Sequence, residues 1–271
     1  GTAGTGGFSI KNTSIGAYNN VYVDVIITVF MLVFGVNFSV YYLIMKGNLK
    51  PALKNGELWL YLGIAATSTI LIAINIHGSV FDSAGQSLRH AAFQVASILT
   101  TTGYSTTDFN QWPEFSKMIL LVLMLIGGCA GSTAGGIKNI RILILAKTIK
   151  REMIRIVHPK AVHTIKVDGK TVDEEIVSGI LTFYFAFTAI FTVSVILVSL
   201  DGKDMVTTIS SVATAIGNVG PGLGMVGPMG NFADYSVFSK LVLCFCMIVG
   251  RLEIFPVLLL FAPRFWKKVS I

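Results

Sequence analysis

Charge is scarce in this chain: Asp, Glu, Lys and Arg together supply 13% of its residues, about half the share of an ordinary soluble domain. That excludes a conventional water-facing globular surface. Cysteine is nearly absent as well, and the three present, Cys129, Cys244 and Cys246, all lie in apolar segments, where they read as packing residues rather than a disulfide framework or a zinc site. The four histidines, His77, His90, His158 and His163, are dispersed without metal-ligand spacing. No Ser/His, Asp/Asp or His/Glu constellation is spaced within the apolar runs as proton-transfer or metal chemistry requires, so the chain is not expected to be an enzyme. Its opening, Gly1-Thr2-Ala3-Gly4-Thr5-Gly6-Gly7-Phe8-Ser9, lacks an initiator methionine and the charged, then apolar, layout of a signal peptide. It has the look of a cut edge.

What the chain has instead is apolar length. Hydrophobic residues make up 53% and the mean hydropathy is +0.73, which predicts an all-α integral membrane protein. Five spans are expected, at Val21–Met45, Leu58–Ile76, Lys117–Ala146 with an interruption, Ile176–Leu200 and Val237–Ala262. The net charge of +7 could suggest nucleic acid, but the basic residues alternate between connections. Lys46, Lys50 and Lys54 share one, Lys138 through Lys170 carry a second group, and Arg264, Lys267 and Lys268 end the chain. The positive-inside rule puts 46–57, 138–175 and the C-terminus in the cytoplasm. No nucleic-acid partner is expected.

Between two of the spans lies Thr100-Thr101-Thr102-Gly103-Tyr104-Ser105, which has the chemistry of an ion selectivity filter. A potassium or sodium ion entering a membrane must exchange its water shell for other oxygens, and backbone carbonyls can supply them. Glycine relaxes the limits on φ and ψ, so successive carbonyls can turn toward one axis, with threonine hydroxyls expected beside them. Such irregular backbone survives at membrane depth only where it lines a water-filled path or is buried in protein.

The arrangement repeats. A span, a short helix, a glycine-centred loop and another span occur from Leu58 through Leu88–Leu99 and Thr101–Ser105 to Lys117–Ala146. They occur again from Ile176 through Val206–Ala215 and Gly217-Asn218-Val219-Gly220-Pro221-Gly222 to Val237–Ala262. Thr5-Gly6-Gly7-Phe8-Ser9 followed by Val21–Met45 then reads as the end of a further copy. Tandem helix–pore-loop–helix units with re-entrant pore helices are the expected fold. The negative C-terminal ends of the short helices would favour a cation at the centre.

Two features interrupt the spans. Gly127-Gly128-Cys129-Ala130-Gly131-Ser132-Thr133-Ala134-Gly135-Gly136 contains GxxxG spacing, which suits tight helix packing. Every face of the run is small, however, which suits a broken transmembrane helix with an intramembrane loop across the path. Arg251 lies in the last span with Gly250 before it and Glu253 after it. It is either a structural arginine satisfied by carboxylate or carbonyl groups, or a fixed positive charge lining a cation path. The two charges, two residues apart, are expected to find separate partners. Finally, Val167-Asp168-Gly169-Lys170 predicts a small cytoplasmic hairpin, and the basic approach from Lys147 to Arg155 could meet lipid headgroups or a partner.

Together, the Thr100–Tyr104 run, the Gly127–Thr133 run with Gly135-Gly136-Ile137-Lys138, Asn218-Val219-Gly220-Pro221-Gly222 and Gly250-Arg251-Leu252-Glu253 resemble the TrkH/TrkG/KtrB superfamily of potassium transporters, in its TrkH-type branch. The resemblance implies a four-repeat subunit, like a potassium-channel tetramer fused into one chain, in the bacterial cytoplasmic (inner) membrane. It implies K⁺ as the transported ion, no organic cofactor, a homodimer, surrounding membrane lipids and a cytosolic nucleotide-binding regulatory subunit of TrkA type. By position, Gly7, Gly103 and Gly220 match the central glycines of the second, third and fourth filters. The implied filter residues are Thr5, Gly6, Gly7, Phe8, Thr101, Thr102, Gly103, Tyr104, Asn218, Val219 and Gly220. The implied gate is Gly127, Gly128, Gly131, Ser132, Thr133, Gly135, Gly136 and Arg251.

On this reading residues 1–46 end the second repeat, 47–147 are the third, 148–175 a cytoplasmic connection and 176–271 the fourth. A partial subunit of this kind is not expected to enclose an ion path alone. The competing expectation is a secondary transporter, Na⁺- or H⁺-coupled, with a midplane site in place of a filter. Both repeats here run the same way across the membrane, whereas inverted repeats would alternate.

Overall fold

The computed structural model describes residues 1–159 and 163–260. The expected basic tail, Arg264 to Lys268, lies outside them, as does Lys160. The described residues are predominantly helical: α1 (Val21–Phe34), α2 (Phe38–Met45), α3 (Leu49–Leu53), α4 (Gly56–Ile76), α5 (Ala84–Leu99), α6 (Glu114–Ile126), α7 (Asn139–Val157), α8 (Glu174–Val198), α9 (Met205–Gly217), α10 (Val237–Arg251) and α11 (Phe255–Leu260). Strands β1 (Lys166–Val167) and β2 (Lys170–Thr171) pair antiparallel between α7 and α8.

Side-chain caps begin several of these helices by satisfying N–H groups that have no intrahelical partner. Asn20 accepts from Tyr22 and Val23 at α1, Asn37 from Ser39 at α2, Asn55 from Leu58 at α4, Asp204 from Thr207 at α9 and Ser236 from Ser239 at α10. The hairpin turns as its sequence predicts, since Asp168 and Gly169 have φ of 51° and 81°, the doubly positive pattern of a type I′ turn. Its tip docks on the next layer: Asp168 Oδ1 accepts the Gly56 N–H at 2.7 Å.

Helix α5 packs between α4 and α1, α9 packs between α10 and α8, and α6 against α9 joins the two groups. The last turns of α5, from Phe93 to Leu99, and of α9, from Ser210 to Gly217, are buried on every side. Alanine, serine and threonine in those turns allow the surrounding helices to approach closely. Each group therefore has a long helix, a short buried helix, a glycine segment and a further helix in that order.

Three expected spans are not single helices. The Val21–Met45 run bends by 90° between α1 and α2, where Gly35, Val36 and Asn37 leave the helix. Lys117–Ala146 breaks over 127–138, so the small-residue run is not a packing face on a continuous helix. Val237–Ala262 ends its first helix at Arg251, because Glu253 and Ile254 take φ of 60° and 58° before α11 starts. Among the described residues two helices, Gly56–Ile76 and Glu174–Asp201, are long and apolar enough to cross a membrane, or three spans if the bent pair is counted as one.

Candidate ion-coordination site

Three irregular segments converge at the buried ends of α5 and α9, and they share one backbone pattern. Thr5, Thr101 and Asn218 have φ of 49°, 55° and 56°, and Gly7, Gly103 and Gly220, two residues on in each case, have φ of 62°, 85° and 111°. Left-handed backbone is costly for residues with a Cβ. Its recurrence at the same two positions in all three segments marks one conformation built three times.

The hydrogen bonds repeat as well. Thr101 N–H donates to Ile98 O at 3.0 Å and Thr102 N–H to Ser97 O at 2.8 Å; Asn218 N–H donates to Ala215 O at 3.2 Å and Val219 N–H to Thr214 O at 2.9 Å. Near the start of the chain Thr5 N–H donates to Thr2 O at 3.3 Å and Gly6 N–H to Gly1 O at 2.9 Å. Gly103 N–H reaches Ser97 O at 3.3 Å and Gly220 N–H the Thr214 hydroxyl at 2.9 Å. In a trans peptide the C=O of one residue points opposite to the N–H of the next. Amide hydrogens turned back toward the preceding helix therefore direct the carbonyls of Thr100 to Thr102 and of Gly217 to Val219 away from it.

The segments also touch in sequence order. A Cβ at Gly7 would collide with the carbonyl oxygen of Thr102, and one at Gly103 with that of Val219, whereas nothing lies within 4 Å of the same position at Gly220. Between the third segment and the first is a cavity of about 360 Å³ lined by Gly6, Phe8, Asn218, Val219 and Gly220. Three contiguous sides and one open side describe the arrangement.

The hydroxyls expected to join the carbonyls are engaged within the protein. Thr5 Oγ1 donates toward Gly4 O and Thr133 O, both at 2.8 Å, Thr101 Oγ1 accepts from Gly135 N–H at 2.7 Å, and Thr102 Oγ1 pairs with Thr100 Oγ1 at 2.8 Å. Main-chain oxygens are what remain to be offered. The Tyr104 ring is buried with Ile15, Met31 and Phe93 behind its segment, its hydroxyl bonding Phe8 O at 3.4 Å. Phe8 itself is 89% exposed.

Residues 127–138 form a closed loop directly against these segments. Gly127, Gly131, Gly136 and Lys138 have positive φ, and the two strands of the loop touch so closely that a Cβ at Gly136 would lie 2.8 Å from Gly127 Cα. That contact is the physical reason for small residues on every face. Ile137 and Lys138 N–H donate to Leu125 O at 3.0 Å and Ile126 O at 2.9 Å, closing the neck. The loop wedges into the α1–α2 corner, where Cys129 N–H donates to Gly35 O at 2.9 Å and Phe38 N–H to Gly131 O at 3.1 Å. This explains a bend that the apolar sequence around it does not announce.

Arg251 and Glu253 do find separate partners. Arg251 Nη1 donates to Thr133 O at 3.0 Å, and Glu253 pairs with Arg141 at 2.5 Å. Lys138 Nζ donates to Ala134 O at 2.5 Å. These groups line a cavity of about 260 Å³ with Ser132, Gly135 and Gly136. Glu57 escapes a sequence reading, because an acid in the first turn of a helix is ordinary. Only its burial at 3% exposure distinguishes it. Among the described residues no group of His, Cys, Asp and Glu is placed to hold a metal ion.

A family model described as a cation transport protein, TrkH, matches residues 57–268. The chain is 37% identical over 269 residues to the Trk system potassium uptake protein TrkH of Salmonella typhimurium, covering 98% of this chain and 55% of that protein. It is 37% identical over 270 residues to the Trk system potassium uptake protein TrkG of Escherichia coli, with the same coverage. The crystal structure of the potassium transporter TrkH from Vibrio parahaemolyticus superposes with a TM-score of 0.90 at 36% identity, over 98% of this chain and 57% of that one. The chain spans about half the length of the curated relatives it matches.

Proposed function

The chain belongs to the TrkH family of cation transport proteins, membrane transporters rather than enzymes, and we propose that it is the part of a potassium-uptake subunit that supplies three sides of a carbonyl-lined filter. The observation that carries this reading is the recurrence in all three segments of amide hydrogens bonded back to the chain just before them, at the ends of α5 and α9 in the second and third, which leaves main-chain oxygens free on the other side. Thr5 to Phe8, Thr101 to Tyr104 and Asn218 to Gly220 are the proposed filter segments. Carbonyls of these segments, other than Tyr104 O and Phe8 O, which accept the Ser97 and Tyr104 hydroxyls, replace the water of a bare K⁺, and α5 and α9 point their negative C-terminal ends at it.

A fourth segment, from elsewhere in the full subunit, would fill the open side beside Gly220. Residues 1–46, 47–147 and 176–271 are then successive repeats joined by the 148–175 connection. The loop at Gly127 to Gly136 is the proposed gate, with Arg251 the fixed charge beneath it: a cation leaving the filter meets the loop backbone and then an arginine. The proposed setting is the bacterial cytoplasmic membrane, as a homodimer with a cytosolic nucleotide-binding regulator of TrkA type. The basic residues from Lys147 to Arg155 would face lipid headgroups or that partner.

The test is ⁸⁶Rb⁺ uptake by a potassium-auxotrophic strain carrying the full-length subunit, compared with Gly103→Ser and Gly220→Ser. Loss of uptake or altered cation preference is expected in both. Unchanged uptake and preference in both, at normal expression, would remove the filter assignment.

A further inference from the structure

One carboxylate grips both shoulders of the loop that separates α6 from α7. Glu57, the second residue of α4, is 3% exposed. Its Oε1 accepts the backbone N–H of Ala130 at 2.6 Å and that of Ile140 at 3.0 Å. Ala130 lies on the outgoing limb of the loop and Ile140 just after its return, so the single oxygen closes the stretch that contains Thr133, Ala134 and Gly135. At the α1–α2 corner, Asn37 Oδ1 lies 3.2 Å from where a Cβ on Gly131 would be. Glu57 thus ties to α4 a loop whose own backbone bonds hold it to the α1–α2 corner.

The residue type follows from the geometry. Two buried N–H groups converging on one point need an acceptor, and leaving either unmet is costly. An ionised carboxylate accepts both with charge-assisted bonds, roughly twice as strong as neutral ones. The N-terminus of α4 favours a negative charge at that place. A glutamine could accept the same bonds more weakly, but it would bring an amide that needs partners of its own.

We propose that Glu57 is the positioning residue that holds residues 131–136 across the path beneath the glycine segments, so that the loop moves aside only when this grip is released. The proposal rests on the reading of the loop as the gate, and the experiment separates the two.

Full-length subunits carrying Ser132→Cys as a reporter are reconstituted in proteoliposomes with Glu57, Glu57→Gln or Glu57→Asp. The rate of labelling at the reporter by a membrane-impermeant thiol reagent is read by mass spectrometry, beside ⁸⁶Rb⁺ flux. Replacing charge-assisted by neutral bonds is expected to raise the labelling rate about five- to tenfold in Glu57→Gln, with Vmax for flux raised and KM unchanged. Glu57→Asp, which keeps the charge on a shorter stem, is expected to fall between. Should Glu57→Gln fail to fold, the aspartate variant decides. Labelling at the parent rate in the variants that fold overturns the proposal. Faster labelling with unchanged flux keeps Glu57 as the anchor and overturns the gate reading.

Discussion

The hydroxyl of Thr5 meets the carbonyl oxygen of Thr133 at 2.8 Å, across 128 positions of the chain. The same carbonyl receives Arg251 Nη1 at 3.0 Å. One loop oxygen is therefore shared by the first glycine segment on one side and a cation from α10 on the other. Thr101, which occupies in its segment the position of Thr5, also bonds the loop, through Gly135. The loop and the first two segments form one hydrogen-bonded unit, and the outcome of several substitutions follows from that.

Gly103→Ala and Gly220→Ala should differ in this chain and converge in the full subunit. Both place a Cβ on left-handed backbone, at about 1 to 2 kcal/mol, but only at Gly103 does that Cβ meet a neighbouring carbonyl. Thermal unfolding in detergent should show Gly103→Ala as much the more destabilising in the 271-residue chain. In the full-length subunit a fourth segment beside Gly220 would make the two comparable. A persistent difference there would argue against a filled fourth side.

Thr101→Val keeps shape and removes the acceptor of the Gly135 N–H, a buried bond of 2.7 Å. An orphaned buried donor costs about 1 to 3 kcal/mol. The expected result is a lowered melting temperature together with raised ⁸⁶Rb⁺ flux through the full subunit, while Thr101→Ser stays close to the parent. Equal behaviour of valine and serine would mean that the hydroxyl does not hold the loop.

Arg251→Gln removes a positive charge beside the loop while retaining donors for Thr133 O. Flux at low external potassium should rise several-fold, and Arg251→Lys should remain near the parent because the charge persists. Were glutamine and lysine to behave alike, the arginine would be acting through its hydrogen bond and not through its charge.

Asp204 provides a pH signature. Hydrogen bonds from the Thr207 side chain and then its backbone N–H hold this carboxyl below its ordinary range. With the folded pKa depressed, the cap contributes stability above the unfolded value of about 3.9, and the contribution is lost as pH falls through the folded pKa. Melting curves collected from pH 6 down to about pH 3 should show a smaller acid-induced loss in Asp204→Asn, which keeps a capping oxygen without a titrating charge. Parallel curves for the two proteins would refute the assignment.

Some of this architecture can be read directly from the chain. Gly103 and Gly220 betray themselves because left-handed backbone selects glycine, and the run from Gly127 to Gly136 does so because two strands in backbone contact exclude side chains. The 56–76 helix needs only its apolar length and the capping Asn55. The bend at Gly35 to Asn37 is different: both flanks are apolar, and its cause is a loop almost a hundred positions away. The end of α10 had one visible signal, Pro256, which sits in the first turn of a new helix as proline commonly does. Glu57 could not be singled out, because nothing local distinguishes a buried anchor from an ordinary first-turn acid.

If the three segments are the proposed filter, their bonding register also bears on the sign of the charge that passes. With the amide hydrogens of the second and third segments drawn toward the ends of α5 and α9, a chloride ion arriving at the same place would face carbonyl lone pairs. Discrimination against anions would thus be set by peptide orientation together with the helix ends, before size or hydration distinguishes one alkali metal from another.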